Sequence, residues 1–187
     1  DISGTAGDRA GFATVSGDIN DDGSEDLLVA APVGDGVVRA YFGPESPGSL
    51  SASDADAEFI GSANIELGWA MTLADLDDDG VKDVVIAAPS ELANGKYGVI
   101  YGFYGPISSQ TYDISDADVA IEANSAHGDF FGWALTSGDF NCDGRDDLAA
   151  VADHPHLGLD RVVVRTVDLR DACQRDLVGA DREGLAD

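Results

Sequence analysis

Asp18, Asn20, Asp22 and Asp26 stand at positions 1, 3, 5 and 9 of a short run that has Gly23 at position 6. The same pattern recurs as Asp75, Asp77, Asp79, Gly80 and Asp83, and again as Asp139, Asn141, Asp143, Gly144 and Asp147. Alternate residues of a tightly curved loop aim their oxygens at one point, and a glycine at position 6 admits the sharp turn. Ca²⁺ takes about six to eight oxygens at about 2.3–2.6 Å, one of them from the backbone carbonyl of position 7 in loops of this kind. That carbonyl is available whatever the side chain, and three unrelated residues, Ser24, Val81 and Arg145, occupy the position. Gathering three or four carboxylates in one loop is self-repelling without a cation, so the metal is expected to be structural. The expected cofactor is Ca²⁺, about three per chain.

Asp, Asn and Gly are also ordinary turn residues, and one such loop alone fits an Asx-rich hairpin equally well. Three in register with a fixed glycine favour metal. An EF-hand loop begins in the same way but ends on an acidic position 12, where this chain has Val29, Ile86 and Ala150. The flanking residues also have strand character instead of helical period.

The elements that must hold these loops repeat with them, at a spacing of roughly 60 residues, near the size of one four-stranded propeller blade. An apolar strand precedes each loop, over Phe12–Ser16, Trp69–Leu73 and Trp133–Thr136, and a second follows over Leu27–Ala30, Val84–Ala87 and Leu148–Val151. A third is expected at Val37–Phe42, Val99–Tyr104 and Arg161–Val167, and a weaker fourth at Glu58–Ile60, Val119–Glu122 and Asp176–Val178. The fold class is therefore all-β: propeller blades in three four-stranded repeats, at about 11–61, 67–123 and 131–180, within a single segment 1–187. The tetrapeptide SDAD precedes two of the fourth strands, at Ser53–Asp56 and Ser115–Asp118, and reads as a solvated turn.

With 44% hydrophobic and 25% charged residues, the chain has the composition of a globular protein. Its 36 acidic residues against 10 basic ones give a formal net charge of -26. That charge repels a polyanion, so no nucleic-acid partner is expected. No apolar stretch approaches the length of a membrane helix, so no membrane insertion is expected, and Asp1–Gly11 lacks the basic and apolar regions of a signal peptide. Cys142 and Cys173 fit either one disulfide outside the cell or two thiols inside it.

The loop followed by an apolar strand and Ala-Ala-Pro, with a Phe-Gly-like pair ahead of it, resembles the FG-GAP repeat of integrin α-subunit propellers and related bacterial surface proteins. The Phe-Gly part reads Gly11-Phe12 (reversed), Leu67-Gly68 and Phe131-Gly132; the other reads Ala30-Ala31-Pro32 and Ala87-Ala88-Pro89. The resemblance implies four-stranded blades with Ca²⁺ between the first and second strands, on the lower face. It also implies no active site, an extracellular or cell-surface location, and a protein or glycan ligand met through upper-face loops. The corresponding segments are Gly61–Leu67, Ser90–Tyr97 and Ala123–Phe130, whose Tyr97, His127 and Phe130 read as packing or exposed residues.

In the third repeat Val151-Ala152-Asp153 replaces Ala-Ala-Pro while the metal loop survives. Ile2–Thr14 aligns with Ile60–Thr72, and Val178–Asp187 reads as the start of a further blade. Three blades do not easily enclose a channel, so the neighbouring blades are expected from a longer chain or from a homo-oligomer, with the fragment preferred. An enzyme acting on polysaccharide through paired acids is the contrasting function, but the metal loops claim nearly all clustered carboxylates. His154 and His156 form a His-Pro-His stretch without a third ligand. A purely structural spacer fits the same residues.

Overall fold

The computed structural model describes residues 2–3, 7–43, 49–62, 64–93, 96–122, 130–152 and 163–167. The strands are β1 (Ile2–Ser3), β2 (Thr14–Gly17), β3 (Asp26–Ala31), β4 (Val37–Tyr41), β5 (Leu50–Ser51), β6 (Ala57–Ile60) and β7 (Met71–Ala74). After them come β8 (Asp83–Ala93), β9 (Lys96–Phe103), β10 (Thr111–Asp113), β11 (Val119–Glu122), β12 (Phe131–Gly138), β13 (Asp147–Ala152) and β14 (Val163–Val167). Each metal-loop sequence lies between the first and second strands of an antiparallel meander. The first blade is β2-β3-β4-β6, the second β7-β8-β9-β11, and the third has β12-β13-β14. The expected strand at Asp176–Val178 lies outside the described residues, as do His127, His154, His156 and Cys173. The protein is all-β and built from propeller-type blades.

Stacking of the blades explains why the second strands read as unbroken apolar runs. Side chains alternate across a strand, and a blade with neighbours on both faces must bury both sets. In β8, Val84, Ile86 and Ala88 pack with Leu28, Val38 and Phe59 of the first blade. Its Val85 and Ala87 pack with Phe131, Leu148 and Ala150 of the third. Phe59 and Phe103 meet across the first interface with ring centroids 4.8 Å apart.

The Phe-Gly and Ala-Ala-Pro motifs prove to be two halves of one interblade contact. Gly68 has φ +92, and a β-carbon there would lie 2.9 Å from the β-carbon of Ala30 in the preceding blade. Gly132, also at φ +92, meets Ala87 in the same way at 2.8 Å. Only glycine takes this backbone conformation without cost and leaves room for the alanine. Leu67 and Phe131, just before these glycines, are fully buried.

The first repeat corrects the reading of Gly11-Phe12 as a reversed pair. Gly11 has φ +85 and donates its N–H to the carbonyl of Ala30, as Gly68 does to Ala87. It is therefore the glycine of the motif, with Ala10 in the aromatic position. Phe12 instead joins Trp69 and Trp133, the residues after each glycine. These three rings form a row at the approach to, or the start of, the first strand of each blade, with centroids 4.8 and 4.6 Å apart.

The SDAD segments are more than solvated turns. Each ends a one-turn 3-10 helix, over Ala52–Asp54 and Ile114–Asp116, closed by a capping box. Their last residues, Asp56 and Asp118, accept the backbone N–H of Phe42 and Tyr104, both at 2.8 Å, fastening the third strand to the approach of the fourth. Just ahead of the second of these helices, β10 pairs parallel with β6 of the first blade. The connection that leads into it buries Ile107, whose N–H donates to the Ile19 carbonyl at 2.7 Å.

Candidate metal centre

Each loop is organised by hydrogen bonds between its own amides and its acidic side chains. The Asp18 carboxylate accepts the N–H groups of Asp22 and Gly23, and those of Asp75 and Asp139 accept the corresponding amides of the other loops. Position 3 accepts from the amide of position 5: Asn20 from Asp22, Asp77 from Asp79 and Asn141 from Asp143. Position 5 accepts from position 7, where the amides of Ser24, Val81 and Arg145 lie 2.8, 2.8 and 3.0 Å from Asp22, Asp79 and Asp143. A carboxylate oxygen that accepts one N–H still has a second lone pair with which to meet a cation.

Two backbone positions make the curl. Gly23, Gly80 and Gly144 have φ of +87, +90 and +90, as the sequence anticipates. Asp21, Asp78 and Cys142, at position 4, also adopt left-handed backbone, with φ of +59, +64 and +62. The residue types at position 4 do not reveal this in the sequence. Asp tolerates this conformation, but cysteine has no such tendency, so the third loop hid the pattern. The Cys142 side chain is exposed.

Position 9 differs from the others in depth. Asp26, Asp83 and Asp147 are the only buried charged residues among the described ones, at 1%, 0% and 4% exposure. Asp26 accepts the N–H of Ile19 in its own loop and of Gly43 beyond β4, both at 2.9 Å. Asp83 does the same with Leu76 and Gly105, at 2.6 and 2.9 Å. Asp147 accepts from Phe140 and Asn141, at 2.9 and 3.1 Å. Burial pushes the Asp83 pKa up to about 6, against the two amides that pull it down, and the charges of Asp77 and Asp75 raise it further.

A cation fits the second loop. Asp75, Asp77 and Asp83 each offer a carboxylate oxygen, all within 4.8 Å of one another. Two oxygens on opposite sides of a Ca²⁺ lie about 4.6–5.2 Å apart, twice the usual bond length. In the first and third loops Asn20 and Asn141 replace the acid at position 3 by a carboxamide, which still presents a hard oxygen.

The second and third loops also touch. Asp146 Oδ2 accepts the backbone N–H of Asp75 at 2.9 Å and lies 2.7 Å from Lys82 Nζ. Arg145 Nε lies 3.0 Å from Asp78 Oδ2. Burial raises the pKa of Asp146, but the Lys82 ammonium and the Asp75 amide outweigh it and hold the carboxyl below the ordinary aspartate range.

On the opposite side of the blades, Tyr97 and Phe130 stack with centroids 5.6 Å apart, and Phe130 meets Trp133 edge-on. Among the described residues of the upper-face segments this is an aromatic cluster, with Tyr97 exposed.

Blades that join Phe-Gly to Ala-Ala-Pro across their interfaces, with an acidic loop after each first strand, define the FG-GAP class of repeat protein. Residues 18–86 match the family model described as FG-GAP-like repeat, and the chain carries FG-GAP repeats. It is 33% identical over 129 residues to phosphatidylinositol-glycan-specific phospholipase D of Bos taurus, covering 65% of this chain and 15% of that protein. Integrin alpha-E of Mus musculus is 33% identical over 142 residues, covering 70% of this chain and 12% of the integrin. Integrin alpha-X of Homo sapiens is 31% identical over 168 residues, covering 81% of this chain and 14% of its own length. The chain thus spans less than a fifth of these relatives. Among the described residues no helix is long and apolar enough to cross a membrane.

Proposed function

We propose that this chain is a non-catalytic Ca²⁺-binding FG-GAP propeller module that serves extracellular adhesion, recognition or scaffolding, with one Ca²⁺ clamping each blade through positions 1, 3, 5, 7 and 9 of its loop. The observation that carries this reading is the shared loop geometry: three copies curl through the same amide–carboxylate bonds around a buried aspartate at position 9. Ca²⁺ neutralises the carboxylates and stiffens the link between the first and second strands of each blade, leaving the upper-face loops to meet a protein or glycan ligand. Likeness to two integrin alpha chains favours a protein ligand and an extracellular setting.

Calorimetric titration of the chelator-treated protein tests the metal reading. About three Ca²⁺ per chain are expected, with a higher melting temperature on loading. No heat of binding together with an unchanged melting temperature would falsify it.

A catalytic reading draws on the relative named as a phospholipase D, of which the chain covers 15%. The clustered carboxylates are engaged by loop amides, which favours a role in shaping the loop over one in acid–base chemistry. Turnover of a phosphoinositol glycan or a polysaccharide by the isolated chain would favour the enzyme.

A further inference from the structure

We infer that Asp146, outside the ligand positions of its own loop, is a positioning residue for the metal site of the neighbouring blade, and that it couples Ca²⁺ binding at the second and third loops. The inference rests on the Ca²⁺ reading above. Three consecutive residues of the third loop divide their attention between two sites. Arg145 supplies the position-7 carbonyl of its own loop while its guanidinium pairs with Asp78 of the second loop. Asp146 holds the backbone N–H of Asp75, the first ligand position of the second loop, and pairs with Lys82. Asp147 is the buried position 9 of the third loop.

The ion pairs alone would couple the loops weakly, because Lys82 and Arg145 are about half exposed at 45% and 49%. The part-buried bond from the Asp75 amide to an ionised carboxylate is of the stronger kind. It fixes the peptide on which the Asp75 side chain is mounted. Ordering the third loop around Ca²⁺ therefore places Asp146 and readies the second loop, and by linkage the reverse holds equally. The second loop cannot act on the first in this manner. Its residues in the places of Arg145 and Asp146 are Val81, without charge, and Lys82, which has no acceptor for an amide.

The amides of Gly23, Gly80 and Gly144, one per loop, report the sites separately in ¹⁵N-resolved NMR titrations of the full chain with Ca²⁺. Asp146→Ala is expected to raise the midpoint at Gly80 about fivefold or more while Gly23 keeps its own. Emptying the third loop by Asp143→Ala should raise the Gly80 midpoint likewise, but add nothing further in the Asp146→Ala background. Asp146→Asn, which keeps a carbonyl oxygen for the Asp75 amide, should restore most of the loss. Should Asp146→Ala not fold, the exposed pair Lys82→Gln with Arg145→Gln removes both ion pairs and is expected to raise the Gly80 midpoint about twofold. An unmoved Gly80 midpoint in the folded variants, with all three glycines titrating, overturns the coupling and spares the metal reading. No response at any glycine overturns both.

Discussion

A buried aspartate at the ninth position of each loop carries the sharpest chemical consequence of the structure. Asp83 has no exposed surface, and its pKa is raised from 3.8 to about 6. The folded, metal-free chain therefore keeps a proton there that the unfolded chain releases, so the contribution of Asp83 to metal-free stability falls as pH rises from about 4 to 6. Ca²⁺ must displace that proton below pH 6 and need not above it. The difference in melting temperature between Ca²⁺-loaded and chelated protein is accordingly expected to widen from pH 5 to about 6.5 and to level off beyond 7. An Asp83→Asn variant should flatten the part of this profile due to the second loop. At position 6, Gly80→Ala places a β-carbon on a residue with φ +90 in otherwise open space, so backbone strain is its whole effect. A cost of about 1–2 kcal/mol is expected, seen as a lower melting temperature and weaker Ca²⁺ binding in the same titration.

Between strands, stability concentrates where the blades meet. Gly132→Ala combines left-handed backbone with a β-carbon 2.8 Å from that of Ala87, which lies in a strand buried on both faces. Overpacking of this sort costs about 1–3 kcal/mol, and strain adds to it, so urea unfolding should show a clear loss of stability. Gly11→Ala shares the backbone strain but meets no atom within 4 Å and should cost less. Comparing the two separates conformation from packing. The hydroxyl of Ser137 on β12 donates to the Leu73 carbonyl of β7 at 2.6 Å, a further tie across the same interface.

Across the whole chain, metal and core share the task of holding a stack of thin sheets. Each blade buries apolar faces against its neighbours, while the acidic loops gather along one side of the stack. At free Ca²⁺ a hundredfold above its dissociation constant, one site contributes about 2.7 kcal/mol. Filling three therefore rivals the net stability of about 5–15 kcal/mol usual for a domain. Chelation is expected to lower the melting temperature by well over ten degrees, read by circular dichroism. Trp69 and Trp133, whose rings meet at a tilt with centroids 4.6 Å apart between adjacent blades, offer a fluorescence reading of whether the blades part in the same transition.

How much of this was legible in the sequence depended on whether a feature repeats along the chain. Loop positions 1, 3, 5, 6 and 9, and the strands on either side, answer to local rules of turn geometry and side-chain alternation, and so appear as residue types at fixed spacing. The acidic loops, the all-β class and the blade repeat were therefore readable from residues such as Asp18, Gly80 and the run Val84–Ala88. Left-handed backbone at Cys142 was not, because only the closed loop imposes it on a residue with no preference for it. The role of Gly11 was masked by Phe12, and became clear only through its bond to Ala30. Interblade features belong to the tertiary structure entirely: Gly68 against Ala30, the aromatic row, the parallel pairing of β6 with β10, and Asp146 on the Asp75 amide join residues 38 to 71 positions apart or one blade to the next. The sequence by itself determined what each blade is made of, since those contacts are short-range; which residues one blade offers another was decided only when the stack brought them together.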